Sequence, residues 1–199
     1  TRRVRVVELP LGATEDKVVG GIDLEHAIRT GIRQVDPGLL AKANRGIIYV
    51  DEVNLLGDHL VDLLLDTAES GVNLIEREGI SFAHPARFIL VGTMNPEEGE
   101  LRPQFLDRFG LCVKVVGSQE PLNRLEILKR REQYEEDPET FTWEWQEEQE
   151  RMRHEVVRAQ ELLSQVKMPP RLANFIAQLS MDHRSAGHRA DIIMDRAAQ

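Results

Sequence analysis

The sequence predicts an α/β unit over residues 1–117 followed by an all-helical unit over 118–199. Three observations predict it. First, Gly46-Ile47-Ile48-Tyr49-Val50 and Arg87-Phe88-Ile89-Leu90-Val91-Gly92-Thr93 are short, apolar and rich in β-branched residues, as buried parallel strands are. Second, each run ends in a polar group, Asp51-Glu52 and Met94-Asn95-Pro96, with a helical pattern between the two. Strands alternating with helices make a sheet covered on both faces. Third, after Ser118 the strand pattern stops and proline-started helices replace it.

In chain order, Pro37 suits the first turn of a helix over 37–43, which Asn44 and Gly46 end. Asp58 reads as the N-cap of a helix over 59–69, and Gly71 stands where a C-cap glycine belongs. Residues 72–77 and 80–84 read as a β-hairpin turning at Glu78-Gly79 and ended by Pro85. Leu111-Cys112-Val113-Lys114-Val115-Val116 is a third candidate strand, closed by Gly117, in which Cys112 would be core. Ser118 can cap a helix whose early turn holds Pro121, and Asp137-Pro138 starts the next. The acidic stretch 132–161 carries Trp143, Trp145, Met152, Val156 and Leu163, expected as one buried stripe of a solvated helix. Pro169-Pro170 break the chain before helices over 171–184 and from about Gly187 onward. No internal repeat or low-complexity tract occurs.

Composition narrows the function classes. Of 199 residues, 41% are hydrophobic and 30% charged, enough for a real core in a soluble chain. A net charge of −9 argues against coating nucleic acid or lying on a membrane surface. No apolar run approaches the roughly 20 residues of a spanning helix. The single cysteine rules out an internal disulfide and fits a reducing compartment, so a cytoplasmic location is expected. The start, Thr-Arg-Arg-Val-Arg-Val-Val, lacks the apolar stretch of a signal peptide. Residue 1 is Thr rather than Met, and the last residues stop inside a helical pattern, so the chain is expected to be a fragment with an upstream part missing.

In an open parallel sheet, ligands bind beyond the carboxyl ends of the strands. Asp51 and Glu52 occupy such an end. There one carboxylate can hold a hydrated Mg2+ on a nucleotide while the next orients and deprotonates an attacking water; a strand end that merely opens a loop would look the same. Asn95, at the end of the second strand, offers an amide for that water or for a γ-phosphate, or else simply starts an Asn-Pro turn. In Leu101-Arg102-Pro103-Gln104-Phe105-Leu106-Asp107-Arg108-Phe109, Pro103 starts a short helix with Arg108 at its far end. A guanidinium fork matches phosphoryl oxygens, and an arginine supplied in trans is worth on the order of 10³–10⁵ in rate. The competing reading of Arg108 is a surface side chain paired with Asp107 or with Glu97-Glu98. His26, His59, His84, His154, His183 and His188 show no zinc-ligand spacing, and no serine sits in a Gly-x-Ser-x-Gly setting.

Together these residues resemble an AAA+ ATPase with a hairpin inserted before its sensor strand. Four stretches resemble, more narrowly, the I subunit of magnesium chelatase: LPLGATEDKVVG (9–20), PGLLAKANRGIIYVDEVNLL (37–56), DHLVDLLLDTAESGVNLIEREGIS (58–81) and GTMNPEEGELRPQFLDRFG (92–110). The likeness covers most of 8–117 and continues more loosely to Gly187-His188-Arg189-Ala190-Asp191. It implies the latter part of an AAA+ core over 1–117 and a helical lid over 118–199. It also implies Asp51 and Glu52 as the Walker B pair, Asn95 as sensor 1, Arg108 as an arginine finger with Asp107 beside it at the subunit interface, and Arg189 as sensor 2. ATP and Mg2+ are the implied cofactors. The implied assembly is a homo-oligomeric ring, a hexamer, working with a second AAA+ subunit of D type and a large porphyrin-binding subunit of H type. The implied reaction drives Mg2+ into protoporphyrin IX, in the cytoplasm or, in a photosynthetic eukaryote, the plastid stroma.

One departure stands out. The family's Gly-x-x-x-x-Gly-Lys-Ser/Thr phosphate loop is missing, since no Gly-Lys dipeptide occurs in the sequence, so these 199 residues alone are expected to bind ATP poorly. Three other readings remain. A non-hydrolysing scaffold would have no need for Asp51, Glu52, Asn95 and Arg108 together. A DNA motor would need a basic or aromatic hairpin, whereas Glu76-Arg77-Glu78 is neither. A MoxR-like remodelling ATPase would use the same fold on another client.

Overall fold

A computed structural model describes residues 3–22, 29, 35–77, 80–183 and 187–199. Two compact units emerge, Thr1–Leu111 and Cys112–Gln199.

In the first unit, strands β1 (Val6–Leu9), β4 (Gly46–Val50) and β7 (Phe88–Gly92) form a parallel sheet in the order β1-β4-β7. Its register pairs Val7 with Ile48, Ile48 with Leu90, and Val50 with Gly92. The middle strand is the most apolar, and its Ile48 and Val50 are buried. Two short antiparallel ladders accompany the sheet: β2 (Gly21–Ile22) with β3 (Val35–Asp36), and β5 (Val72–Arg77) with β6 (Ile80–Pro85). The second is the expected hairpin; its turn, Glu78-Gly79, lies outside the described residues. β1 escapes sequence reading because it is four residues long and its Val-Val-Glu-Leu sequence does not alternate apolar with polar, although its burial does alternate.

Among the described residues, four α-helices of this unit are α1 (Glu15–Val19), α2 (Gly38–Lys42), α3 (Asp58–Ser70) and α4 (Pro103–Leu106). At 13 residues α3 would be marginal alone in water. It is held by burying Leu60, Val61, Leu64 and Leu65, each worth about 1.5–3 kcal/mol on full burial. Its N-cap is Gly57, and Asp58 is instead the first helical residue, where its charge favours the helix start. Gly71 ends it in the left-handed conformation, φ 71°, as expected. α2 likewise starts one residue late, with Pro37 as its N-cap. Val18, Leu40 and Phe105 bring α1, α2 and α4 into the same core.

Two close approaches fix the region before the sheet. Gly20 (φ 104°) and Gly38 (φ 68°) meet backbone to backbone: a Cβ on Gly38 would lie 2.5 Å from the nitrogen of Gly20. Asn73, buried on β5, donates from Nδ2 to the Val19 carbonyl at 2.7 Å and to His84 Nε2 at 2.9 Å. With His84 Nδ1 facing the Pro85 carbonyl at 3.1 Å, the ring is the neutral Nδ1–H tautomer. One amide thereby ties the hairpin to α1.

In the second unit the expected strand at 111–116 is absent. The segment has no regular structure, and Leu111, Val113, Val115 and Val116 are 70–90% exposed. A strand must pair its N–H and C=O groups, and the described ladders leave this segment unpaired. Cys112 is accordingly exposed rather than core. The helices are α5 (Pro121–Glu136), α6 (Pro138–Glu144), α7 (Gln146–Leu163), α8 (Pro170–Asp182) and α9 (Arg189–Ala198). Asp137 caps α6 as expected, accepting from the N–H groups of Glu139 and Thr140. Its carboxyl is held below the usual range by the Thr140 hydroxyl and those amides. Ser118 does not cap α5; Glu120 holds that position, and the Ser118 hydroxyl accepts the Glu120 N–H just before the helix. The apolar stripe expected to be buried is exposed at Trp143 on α6 and at Met152, Val156 and Leu163 on α7; neither helix buries any of its residues. Trp145 alone is half-covered, under the Arg130 guanidinium 4.6 Å from its ring centre and beside Phe141. Arg184, the expected end of α8, lies outside the described residues.

Replacing Asn73 with Ala strands the Val19 carbonyl and His84 Nε2 without a donor. Urea denaturation should register a loss of about 1–3 kcal/mol. Gly38→Ala should cost more than about 1 kcal/mol, since both its φ and its space exclude a methyl group.

Candidate functional site

The parallel pairing of β4 and β7 brings their carboxyl ends side by side, and the groups beyond those ends are joined through one side chain. The Thr93 hydroxyl donates to Asp51 Oδ1 at 2.6 Å and accepts the Glu52 N–H at 3.0 Å. Its backbone continues the ladder, taking the Val53 N–H on its carbonyl at 2.9 Å and donating to the Val50 carbonyl at 3.0 Å. From the other side, Tyr49 donates its phenol to the same Asp51 oxygen at 2.9 Å. Asp51 is therefore held ionised, its carboxyl below the usual range because of the Thr93 hydroxyl first and the Tyr49 phenol second. The Tyr49 phenol is pushed the opposite way by the same hydrogen bond.

Glu52 follows in the left-handed region, φ 54° and ψ 55°. For a residue other than glycine this conformation costs about 1–3 kcal/mol, and such strain collects at functional sites. Its carboxyl is raised above the usual range, chiefly by the like charge of Glu98 and next by loss of solvent. Two adjacent carboxylates thus have opposite tendencies. Asp51 is favoured as an anion, and Glu52 gains affinity for a proton, as a general base needs.

Asn95 lies two residues past Thr93. Its Oδ1 accepts the Glu97 N–H at 3.2 Å and caps the short 3-10 turn Pro96–Glu98. Asn54 Nδ2 donates to the Gly99 carbonyl at 3.2 Å, fastening the turn that carries Glu98 to the loop that carries Glu52. The side chain of Asn95 therefore works as a cap here, with its amide nitrogen as the group able to meet a water or phosphate.

Arg108 lies in the same unit, past the end of α4. Its guanidinium lies against α3, on Asp62 at 3.3 Å, on Asp66, and on Glu69 at 3.6 Å, and is only 21% exposed. Asp107 is the exposed C-cap of α4. Arg189, in the second unit, is the first residue of α9 and half-buried, next to the His188–Asp191 contact at 3.4 Å. Among the described residues, no group of three or more His, Cys, Asp or Glu is placed to hold a metal ion, and no helix is long and apolar enough to cross a membrane.

Of the residues predicted from sequence, Asp51, Glu52 and Asn95 stand at the ends of neighbouring strands, Asp107 and Arg108 follow α4, and Arg189 lies in the second unit, while Tyr49, Thr93 and Asn54 are not singled out and Glu98 only as a partner for Arg108. A signal for two of them is present. Strand residues two apart share a face, so Tyr49 accompanies Asp51, and Thr93 stands on the neighbouring strand at the same level.

The profile of the family described as magnesium chelatase, subunit ChlI, matches residues 24–104. A magnesium-chelatase subunit ChlI homolog of Methanocaldococcus jannaschii is 52% identical over 198 residues, covering 100% of this chain and 54% of that protein. The magnesium-chelatase 38 kDa subunit of Chlorobaculum tepidum is 53% identical over 195 residues, 98% of this chain and 50% of its own length. Among solved structures, one of the complex between subunits BchI and BchD of magnesium chelatase, from a cryo-EM reconstruction, matches with 54% identity and a TM-score of 0.54 over 82% of this chain and 51% of that one. The chain spans about half the length of the curated relatives it matches. The fold is the expected AAA+ type, a partial parallel core with a hairpin before its last strand and helices after it. With half of all residues identical across its whole length, the chain belongs to the magnesium-chelatase I-subunit family.

Proposed function

We propose that this chain is part of an AAA+ motor subunit of magnesium chelatase, coupling MgATP hydrolysis to Mg2+ insertion into protoporphyrin IX in chlorophyll or bacteriochlorophyll biosynthesis. The observation that carries the reading is the Thr93 bridge, which holds Asp51 as an anion while fixing the backbone of Glu52. Asp51 suits a hydrated Mg2+ on the nucleotide, because a hard cation takes an ionised oxygen donor through water. When bound, that ion would supply charge neutralisation for a transferring phosphoryl group. Glu52, with its raised proton affinity, accepts the proton of the attacking water, and Asn95 orients that water through its amide. Arg108 serves a neighbouring subunit's phosphate and Arg189 contacts the nucleotide from the lid over 118–199, with Asp107 at the subunit interface.

An arginine acting in trans needs a neighbour, so a homo-oligomeric ring, six-membered in this reading, follows from the role given to Arg108. A D-type AAA+ subunit and an H-type porphyrin-binding subunit complete the assembly, in the cytoplasm or plastid stroma. Support for the D-type partner is the likeness to a BchI subunit solved with BchD. Lacking a Gly-Lys loop, these 199 residues alone should bind ATP poorly. Activity tests therefore belong to the full-length protein.

Glu52→Gln should keep ATP binding and lower the hydrolysis rate by about 10²–10⁴, the usual worth of a general base; unchanged turnover would remove Glu52 from the chemistry. Thr93→Val should lower kcat about 10–100-fold, as loss of a group that orients an active residue does, with Thr93→Ser restoring most of it. Because Glu98 raises the Glu52 carboxyl, activity should fall as pH drops through that raised value. Glu98→Gln removes the repulsion and should move this acid limb of the pH profile to lower pH.

A further inference from the structure

α3 carries two different faces. Leu60, Val61, Leu64 and Leu65 enter the core, while Asp58, Asp62, Asp66 and Glu69, spaced by four, four and three, line up along another side. The segment around α4 runs beside this acidic stripe and is pinned at both ends by arginine: Arg102 on Asp58 at 2.6 Å, and Arg108 on Asp62, Asp66 and Glu69. The guanidinium of Arg108 is the covered partner. It is 21% exposed, against 52–72% for the three carboxylates. Arg108 and these three carboxylates together carry a formal charge of −2.

This position conflicts with reaching into another subunit. A guanidinium committed to the face of its own α3 must leave it before touching a phosphate across an interface. The exchange is feasible because the holding carboxylates are mostly solvated and screened, whereas a phosphate in a closed site offers concentrated charge and a bidentate match.

We propose that the acidic stripe of α3 is a holding site for Arg108, keeping the guanidinium on its own subunit until a neighbour's nucleotide phosphate competes for it. Asp62, Asp66 and Glu69 are positioning residues in this scheme, acting on the reaction only through Arg108. The device makes activity depend on two conditions at once, a neighbour in place and phosphate in that neighbour's site. It rests on the trans role of Arg108 proposed above.

The test is the ATPase activity of the full-length protein as a function of its concentration. Asp62→Asn with Asp66→Asn weakens the holding site. The concentration for half-maximal activity should fall at least threefold, and the gap to the unaltered protein should shrink in 0.5 M NaCl, where the stripe is screened in both. Glu69→Gln, the most distant contact, should shift it the same way by less, and serves if the double variant melts early. The scheme is overturned if the neutralised variants need the same or more protein, or if sedimentation velocity shows them promoting self-association equally well in an Arg108→Ala background, where activity is not needed for the readout. Arg108→Ala alone addresses the underlying reading: near-complete loss of activity upholds the trans arginine, and full activity removes it whatever the stripe variants do.

Discussion

The hydroxyl of Thr93 is the point on which the geometry of the candidate site depends. A parallel sheet brings strand ends together but does not by itself orient the residues beyond them. Thr93 does so with one oxygen used twice, as donor to a carboxylate and acceptor of the next residue's amide. The short bond to Asp51 fixes an anion, and the bond from Glu52 stabilises a backbone that would otherwise relax out of the left-handed region. Strain at Glu52 is tolerated because neighbours over-determine it: the Thr93 hydroxyl, the Val53–Thr93 ladder bond and the Asn54–Gly99 tie all act within a few residues. The site is thus a property of pairing between β4 and β7, and each strand's side chains are meaningless for it without the other.

α3 distributes the consequences of that site through the unit. Its apolar face holds the sheet from one side, and its acidic face holds the segment carrying Arg102 and Arg108. The helix is tightly coupled to the Glu52 backbone, since only five residues separate Glu52 from Asp58. Opposed electrostatic tendencies recur at each step. Asp51 is stabilised as an anion, Glu52 is destabilised as one by Glu98, and the stripe carries more negative charge than its arginines cancel. Arrangements of this kind cost little at a solvated surface and leave room for a cation or a phosphate to change the balance.

Legibility in the sequence tracks how local each signal is. β4, β7, the hairpin, α3 and the Asp137 cap are readable because apolar runs, a C-cap glycine and an Asp-Pro start are written in a few adjacent residues. Asp51, Glu52 and Asn95 are readable as strand ends. The features that escape depend on partners far along the chain. Thr93 acquires its role from residues 41 and 42 positions away, Asn73 from Val19, and Arg108 from α3. The same limit explains the strand expected at 111–116: β-branched composition supplies a preference for extended backbone, and only a neighbouring strand can turn preference into a ladder.

That segment has a practical consequence for anyone handling the isolated chain. Leu111-Cys112-Val113-Lys114-Val115-Val116 is a run of strand-forming residues with solvent on its apolar side chains and a backbone that no described ladder pairs. Such runs are templates for cross-chain pairing, and a single lysine is thin protection. The exposed thiol of Cys112 within it adds a route to oxidative cross-linking once two copies align. These six residues outside every element of the fold therefore add an aggregation and cross-linking route to the purified chain, one that dilution and a reductant keep in check.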